Sequence, residues 1–375
     1  MKKADVIEKL RRLPYDPRDY WVVAGGAMVM YGIREETHDV DLGCTRELAD
    51  RLEAEGFLCG KTDGGKRRFS IGGYIEVFED WLYDRVDQVD GVPVISLPGL
   101  VEMKRRLGRE KDERDLALIR AHGKDMNEYL EKLGKIEFTV TLACTGRCKH
   151  CQNGDPVQTA EHIDAETAAA AVRRVCGLYD IKTVMTFGGE PLLYPETVCA
   201  IHRAAYDMGV AKRQVITNGF FSISPERIAE VALMLKESGV NDLRLSVDAF
   251  HQETIPLEPV LRFAECAVKA GIPVRLSPAW LVSREDGNPY NIRTREIIRA
   301  FAPLGIETGE GNVIFPSGNA LKYLREYFDG DAAGSSPYEE DPADVRTLSF
   351  SANGDVLNGN AYRTEILELI RDYRP

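Results

Sequence analysis

Three cysteines, Cys144, Cys148 and Cys151, fall within eight residues of one another, directly after a run at 136–142 that alternates apolar with polar side chains. Alternation at period two is the pattern of a strand with two distinct faces, so the thiols sit on a short loop at the carboxyl end of a strand. A loop that short can curl around one metal centre. Tetrahedral zinc normally closes with four protein ligands, whereas three thiolates on a four-iron cluster leave one iron open for chemistry. Zinc would need His162 to complete a Cys3His site. Unliganded thiols on an exposed loop would invite oxidation.

Downstream of this loop, helix-like and strand-like stretches alternate. An alanine-rich helix at 165–179 is followed by a strand at 183–187, a helix after Pro195 and a strand at 214–217. Ser224 and Pro225 open the next helix and Gly239 stops it, as capping chemistry prescribes. Further strands read at 243–247, 274–277 and near Ile306. Such repetition implies a parallel sheet with right-handed crossovers. Six units fit before residue 310, two short of a closed eight-stranded barrel, so the expected fold class is α/β, a partial (β/α)6 TIM-type barrel. In that architecture chemistry gathers at the carboxyl ends of strands. The ends are the cysteines, Gly188-Gly189-Glu190-Pro191, Thr217-Asn218-Gly219, Ser246-Val247-Asp248 and Ser277.

With these motifs in place, residues 135–310 resemble the radical S-adenosylmethionine (SAM) superfamily. The C-x3-C-x2-C spacing is that family's signature, and the Gly-Gly-Glu-Pro turn one βα unit later is its second motif. The resemblance implies that Cys144, Cys148 and Cys151 hold a single [4Fe-4S] cluster whose open iron chelates the methionine moiety of S-adenosylmethionine. Gly188, Gly189 and Glu190 would meet the methionine ammonium, a sensible electrostatic pairing. His150 would lie near the adenine, Ser246 or Asp248 near the ribose hydroxyls, and Asn218 also on the cofactor. The implied reaction is reductive cleavage to a 5′-deoxyadenosyl radical that abstracts hydrogen from a small-molecule, peptide or nucleotide-linked substrate, with flavodoxin or ferredoxin as electron donor. Against these roles, a polar strand end such as Ser246 or Asp248 is often only solvated, and His202 and His251 read as surface or core histidines.

Residues 1–130 are organised differently and read as a separate α+β domain, with 131–375 as the second and a C-terminal extension from about 311. A strand at 21–24 runs into Gly25 and Gly26 before a helix, a turn that suits a phosphate. Asp39 and Asp41, one residue apart on a strand, share a face, and Glu76 is expected from a neighbouring strand. Two carboxylates so placed can hold magnesium that bridges to a triphosphate. With the segment carrying Lys104, Lys111, Asp112 and Asp115, this region resembles the nucleotidyltransferase superfamily, in particular proteins related to toxin–antitoxin nucleotidyltransferases. That likeness implies a Mg2+-dependent transferase with Asp39, Asp41 and Glu76 as catalytic carboxylates, or a folded module that only docks a substrate. The plain alternative is a solvated strand edge and a structural glycine turn.

Composition bounds the rest. A chain of 375 residues that is 44% hydrophobic can bury two cores. A net charge of −12 argues against a broad nucleic-acid footprint or an anionic-membrane surface. The opening helix lacks the apolar core of a signal peptide and no apolar run approaches membrane length, so a cytoplasmic protein is expected. Cys44, Cys59, Cys176, Cys199 and Cys266 do not resemble a disulfide framework and read as small core residues. Near the carboxyl end, residues 311–319 resemble the last strand and following loop of radical enzymes. Residues 347–357 read as a hairpin turning at Asn353 and Gly354, a terminal helix starts near Thr364, and the acidic stretch 329–344 reads as a mobile loop.

Overall fold

The computed structural model describes residues 1–62, 64–124, 127–157, 161–328 and 339–375, so part of the acidic stretch, 329–338, lies outside the described residues. Two compact units emerge, Met1–Met126 and Asn127–Pro375.

In the first unit, short runs form β1 (Tyr20–Val23), β2 (Val40–Cys44), β3 (Leu58–Lys61), β4 (Arg67–Ile71), β5 (Ile75–Glu79), β6 (Val86–Val89) and β7 (Val92–Ile95), with β-branched residues concentrated in β1, β5, β6 and β7. They make one mixed sheet in the order β3-β4-β5-β2-β1-β7-β6. β1 is buried along its whole length, and the helix Ala24–Met30 follows it without a break. Gly25 and Gly26 therefore lie inside the first turn of that helix, not in a turn before it. A Cβ on Gly26 would stand 2.8 Å from Val22 Cγ1, so this glycine serves close packing of helix against strand. Cys44 is buried, but Cys59 is exposed, because β3 is the edge of the sheet.

The second unit contains β8 (Lys135–Thr139), β9 (Thr183–Phe187), β10 (Lys212–Thr217), β11 (Asp242–Leu245), β12 (Val274–Leu276), β13 (Ala279–Trp280), β14 (Glu307–Thr308), β15 (Asn312–Val313) and β16 (Thr347–Phe350). Its main sheet runs β14-β12-β11-β10-β9-β8-β16, and every pairing in it is parallel. Helices Ala165–Leu178, Pro195–Asp207, Pro225–Glu237, Leu257–Lys269 and Pro289–Arg299 make the crossovers. Their starts are chemically marked: the side chains of Asp164, Ser224 and Asn288 accept from the backbone N–H three residues on. Leu257–Lys269 buries Val260, Phe263, Ala264 and Ala267, a stripe at helical spacing.

The seventh strand departs from expectation. A turn does form, with Gly354 N–H donating to Ser351 O at 2.9 Å and Gly354 at φ 83°. Residues 347–350, however, do not fold back as one arm of a hairpin; β16 adds in parallel to β8, with Leu348 opposite Ile136 and Phe350 opposite Phe138. The two phenylalanine rings stack at 4.6 Å, and covering an open sheet edge satisfies backbone groups that a short arm would leave exposed. The short antiparallel pair is instead β17 (Asp355–Val356) with β18 (Gly359–Asn360). Strand pairing thus gives an α/β unit with an open, seven-stranded parallel sheet. Among the described residues, no helix is long and apolar enough to cross a membrane.

Candidate cofactor site

The cysteine loop leaves β8 and is tied to four places. Gly189 N–H donates to Thr141 O at 2.7 Å and Glu190 N–H to Ala143 O at 2.8 Å, which locks the loop to the end of β9. The Thr145 hydroxyl donates to Phe220 O at 2.7 Å beyond β10. Arg147 N–H donates to the Thr254 hydroxyl at 2.9 Å. Asn319 N–H reaches Cys151 O at 2.9 Å, and the Asn319 carboxamide reaches Cys148 O at 3.2 Å. Asn319, at the end of the segment 311–319, therefore borders this loop.

A cavity of about 290 Å3 opens where these ties converge, lined by Cys144, Cys148, Cys151, His150, Gly188, Gly189, Asn218, Ser246 and His251 among others. Gly188 (φ +143°) and Gly189 have no room for side chains: a Cβ would lie 2.4 Å from Thr141 O at the first and 2.1 Å from Ala143 O at the second. Bare backbone consequently faces the cavity at this bend. Burial pushes the Cys144 thiol up to about 11, and also raises Cys148 and Cys151. As free groups all three are neutral thiols, and a metal centre would take them as thiolates with release of protons. Asn218 braces the first of them, its carboxamide N–H donating to Cys144 Sγ at 3.6 Å.

Glu190 is placed differently from its expected role. It is fully buried and accepts from the Thr217 hydroxyl at 2.7 Å, Asn218 N–H at 2.8 Å and Leu192 N–H at 2.9 Å. Burial pushes its carboxyl up to about 7 against the pull of those bonds. It clamps the end of β9 to the end of β10 and does not line the cavity.

Asp248 is likewise spent. Its Oδ1 accepts from Phe250 N–H and His251 N–H, both at 3.0 Å, and its Oδ2 from Ala279 N–H at 3.0 Å and His251 Nδ1 at 2.8 Å. All four acceptor sites of the carboxylate are filled, so no lone pair is left for a ribose hydroxyl. Ser246 does line the cavity, and Asp248 does not.

His251 replaces Asp248 at the cavity wall, contrary to its reading as a surface or core residue. Burial alone would lower its pKa, but the paired Asp248 carboxylate prevails and raises it. His150 has no such partner: burial holds it down to about 4, and its Nδ1 is buried without a hydrogen bond. His202 is a core residue, hydrogen-bonded to the Thr186 hydroxyl at 2.9 Å.

The zinc alternative does not fit. His162 stacks on Tyr194 at 3.9 Å and is absent from the cavity wall. Among the described residues, the potential ligand atoms that all lie within 4.8 Å of one another are those of Cys148, His150 and His251, not the three sulfurs. Zinc–sulfur bonds of 2.3 Å would draw thiolates to roughly 3.8 Å apart, whereas a four-iron cubane holds its ligands wider.

In the first unit, Asp41 on β2 stands opposite Glu76 on β5 in parallel register. Asp39 falls just before β2, not within it. Burial, then Asp39 and Glu76, push Asp41 up to about 6. The three carboxylates are not brought to metal-ligand spacing among the described residues. Lys104, Asp112 and Asp115 are buried and paired with each other, Lys104 Nζ lying 2.7 Å from Asp115 and 3.2 Å from Asp112. Arg34 and Arg109 complete that network.

The Radical SAM superfamily model matches residues 138–283. A GTP 3′,8-cyclase of Moorella thermoacetica is 25% identical over 62% of this chain and 72% of its own length. A probable GTP 3′,8-cyclase of Methanocella arvoryzae is 26% identical over 42% of this chain and 50% of its own length. Against these and similar relatives the chain spans from about a third to nearly three quarters of the relative's length. Among solved structures, Streptococcus suis SuiB bound to S-adenosylmethionine aligns over 73% of this chain and 75% of that one, with 14% identity and a TM-score of 0.45. The chain therefore carries a radical SAM superfamily domain, the domain of an enzyme, at residues 138–283.

Proposed function

We propose that this chain cleaves S-adenosylmethionine reductively and uses the product to abstract hydrogen from a second substrate. The carrying observation is that the three cysteines and the Gly188-Gly189 bend line one cavity. The donor set fits a [4Fe-4S] cluster held by Cys144, Cys148 and Cys151, and the bare backbone of the bend fits the methionine end of S-adenosylmethionine. When bound, the cluster would supply one electron to the sulfonium, giving methionine and a 5′-deoxyadenosyl radical that takes a substrate hydrogen. The chain's own part is orientation and exclusion of water: Gly188 and Gly189 present bare backbone, Glu190 fixes the distance between two strand ends, Asn218 positions Cys144, and Ser246 and His150 would border the nucleoside. The test is anaerobic reconstitution with iron and sulfide, then S-adenosylmethionine and dithionite. 5′-Deoxyadenosine is expected from the wild type and not from Cys148→Ala; none from the wild type would overturn the proposal.

The open sheet reads as a partial barrel. Seven strands laid flat would span roughly 29 Å at ~4.8 Å spacing, and that residues of all seven, from Glu307 to Thr347, line a single cavity supports a curved sheet. A flavodoxin or ferredoxin would suit as electron donor, and a reducing, cytoplasmic setting suits eight free thiols. Substrate assays would begin with small molecules, peptides and nucleotides, the last because the relatives are GTP cyclases.

A second reading belongs to the first unit. Opposed Asp41 and Glu76, with the raised Asp41, form an acidic site that a magnesium–nucleotide complex would relieve, which supports a nucleotidyltransferase-like domain. Labelled triphosphates should then transfer in the wild type and not in an Asp39→Ala, Asp41→Ala protein. Equal labelling removes catalysis and leaves a docking module.

A further inference from the structure

The second unit holds a larger cavity, about 1360 Å3, which shares Phe187 and Ile216 with the cofactor cavity. Its wall carries an unusual pair. Arg244 on β11 and Arg275 on β12 stand opposite each other in parallel register, and both line this cavity. Two residues further along the same faces come Ser246, at the cofactor cavity, and Ser277, at the larger one. Arg244 thus lies about 7 Å, one two-residue strand step, from Ser246 on the wall of the cofactor cavity, and Arg275 stands beside it in register.

Like charges at directly opposed positions destabilise a sheet unless something compensates them. Asp242 does so only in part. Its Oδ1 takes Arg244 Nε at 3.3 Å, but its Oδ2 is shared by Lys212 at 3.2 Å and Gln214 at 2.6 Å. Of the acids on the wall, Glu137 is committed to Lys135 and Ser349, Glu340 to the Thr347 hydroxyl and two backbone N–H groups, and Asp341 to Ala343 N–H, while Glu307, Glu310 and Glu339 line the same wall. Glu307 is the neighbour of Arg275 on its other side, yet no ion pair joins them among the described residues. Arg275 is exposed and lines the cavity, a guanidinium in no ion pair among the described residues, beside a second that is only partly offset.

We infer that the larger cavity receives the substrate and that Arg244 and Arg275 clamp an anionic group on it, a carboxylate or a phosphate. This inference rests on the radical reading above for the word substrate, while the anion site stands on its own geometry. Two planar donor forks on adjacent strands match the oxygens of such a group. With that end held, the remainder of the molecule extends past Phe187 and Ile216 toward the cofactor, so the clamp selects which carbon is presented.

The test needs no cofactor. Calorimetry on the full chain would measure inorganic pyrophosphate and malonate binding to the wild type, Arg244→Gln, Arg275→Gln, Arg275→Lys and, as a control on the surface of the first unit, Arg12→Gln. Binding of at least one anion is expected, weakened about tenfold or more by either Gln variant, partly restored in Arg275→Lys and unchanged in Arg12→Gln. Tighter pyrophosphate binding assigns a phosphorylated substrate, and tighter malonate binding a carboxylate. Equal affinities in wild type and Gln variants, or no binding of either anion at millimolar concentration, would overturn the clamp. Should Arg275→Gln fail to fold, Arg244→Gln carries the same comparison. Formation of 5′-deoxyadenosine by the wild type is scored separately. Its failure beside a positive anion result would remove the radical reading and leave the anion site.

Discussion

Glu190 and Asp248 are both fully buried acids, and their surroundings drive them in opposite directions. Glu190 meets only neutral donors, so burial wins and its pKa rises to about 7. Asp248 meets His251, and although burial pushes upward, the imidazolium and the backbone donors hold it well below the usual carboxylate range. An amide in place of Asp248 would turn an N–H toward the N–H of Ala279 or toward His251. Asp248→Asn should therefore cost about 2 kcal/mol in urea unfolding, and NMR titration should show the His251 pKa falling. Asp41 gives a pH signature. Its folded pKa is raised from 3.8 to about 6, so its contribution is intact below about 4 and is lost as pH rises through about 6. Asp41→Asn lacks that loss and should gain on the wild type by roughly 2 kcal/mol between pH 4 and 7. Unfolding midpoints at the two pH values check this, and an unchanged difference would remove the buried-acid account. None of these environments was legible in the sequence. Asp248 is written as a polar strand end and His251 as an ordinary histidine, because the residue that completes them, Ala279, arrives from another βα unit. The thiols were legible because their partners lie within eight residues of each other.

At the level of elements, the βα alternation could be read because each unit carries its own local marks: a period-two strand, a capping side chain, proline at the start of a helix. β16 carried the same marks and was still misread, since a strand's partner is set by which edge is free, and that edge, β8, lies about 210 residues earlier in the chain. The Gly188-Gly189 bend was recognisable as a motif, but its reason is tertiary. Gly189 must pass within van der Waals reach of the Ala143 carbonyl to make the two bonds that join β9 to the cysteine loop. Gly189→Ala would place its Cβ 2.1 Å from that oxygen, and since the obstacle is backbone it cannot swing aside. The loop must then separate from the bend. After anaerobic reconstitution, S-adenosylmethionine binding should weaken by about tenfold or more while the far-UV spectrum stays that of the wild type. Normal binding by the alanine variant would mean that the bend does not seat the cofactor.

For the whole molecule, two compact units imply two cooperative cores. Each has its own sheet and fully buried side chains, such as Met30 in the first and Phe263 in the second. The tryptophans divide unequally between them, Trp21 and Trp81 in the first and Trp280 in the second. Fluorescence can therefore follow the units separately, with Trp280→Phe leaving reporters in the first alone. The iron-free chain should unfold in urea as two transitions, the one from the second unit having the larger m value because that unit is about twice as long. Met30→Ala should move only the first unit's midpoint, by about 2–5 kcal/mol, and Phe263→Ala only the second's, by about 3–5 kcal/mol. Were either substitution to shift both transitions equally, the cores would be thermodynamically one. Loading the cluster supplies the complementary arm. A ligand that binds only the folded second unit stabilises that unit by mass action, so reconstitution should raise its transition and leave the tryptophans of the first unit reporting an unchanged midpoint.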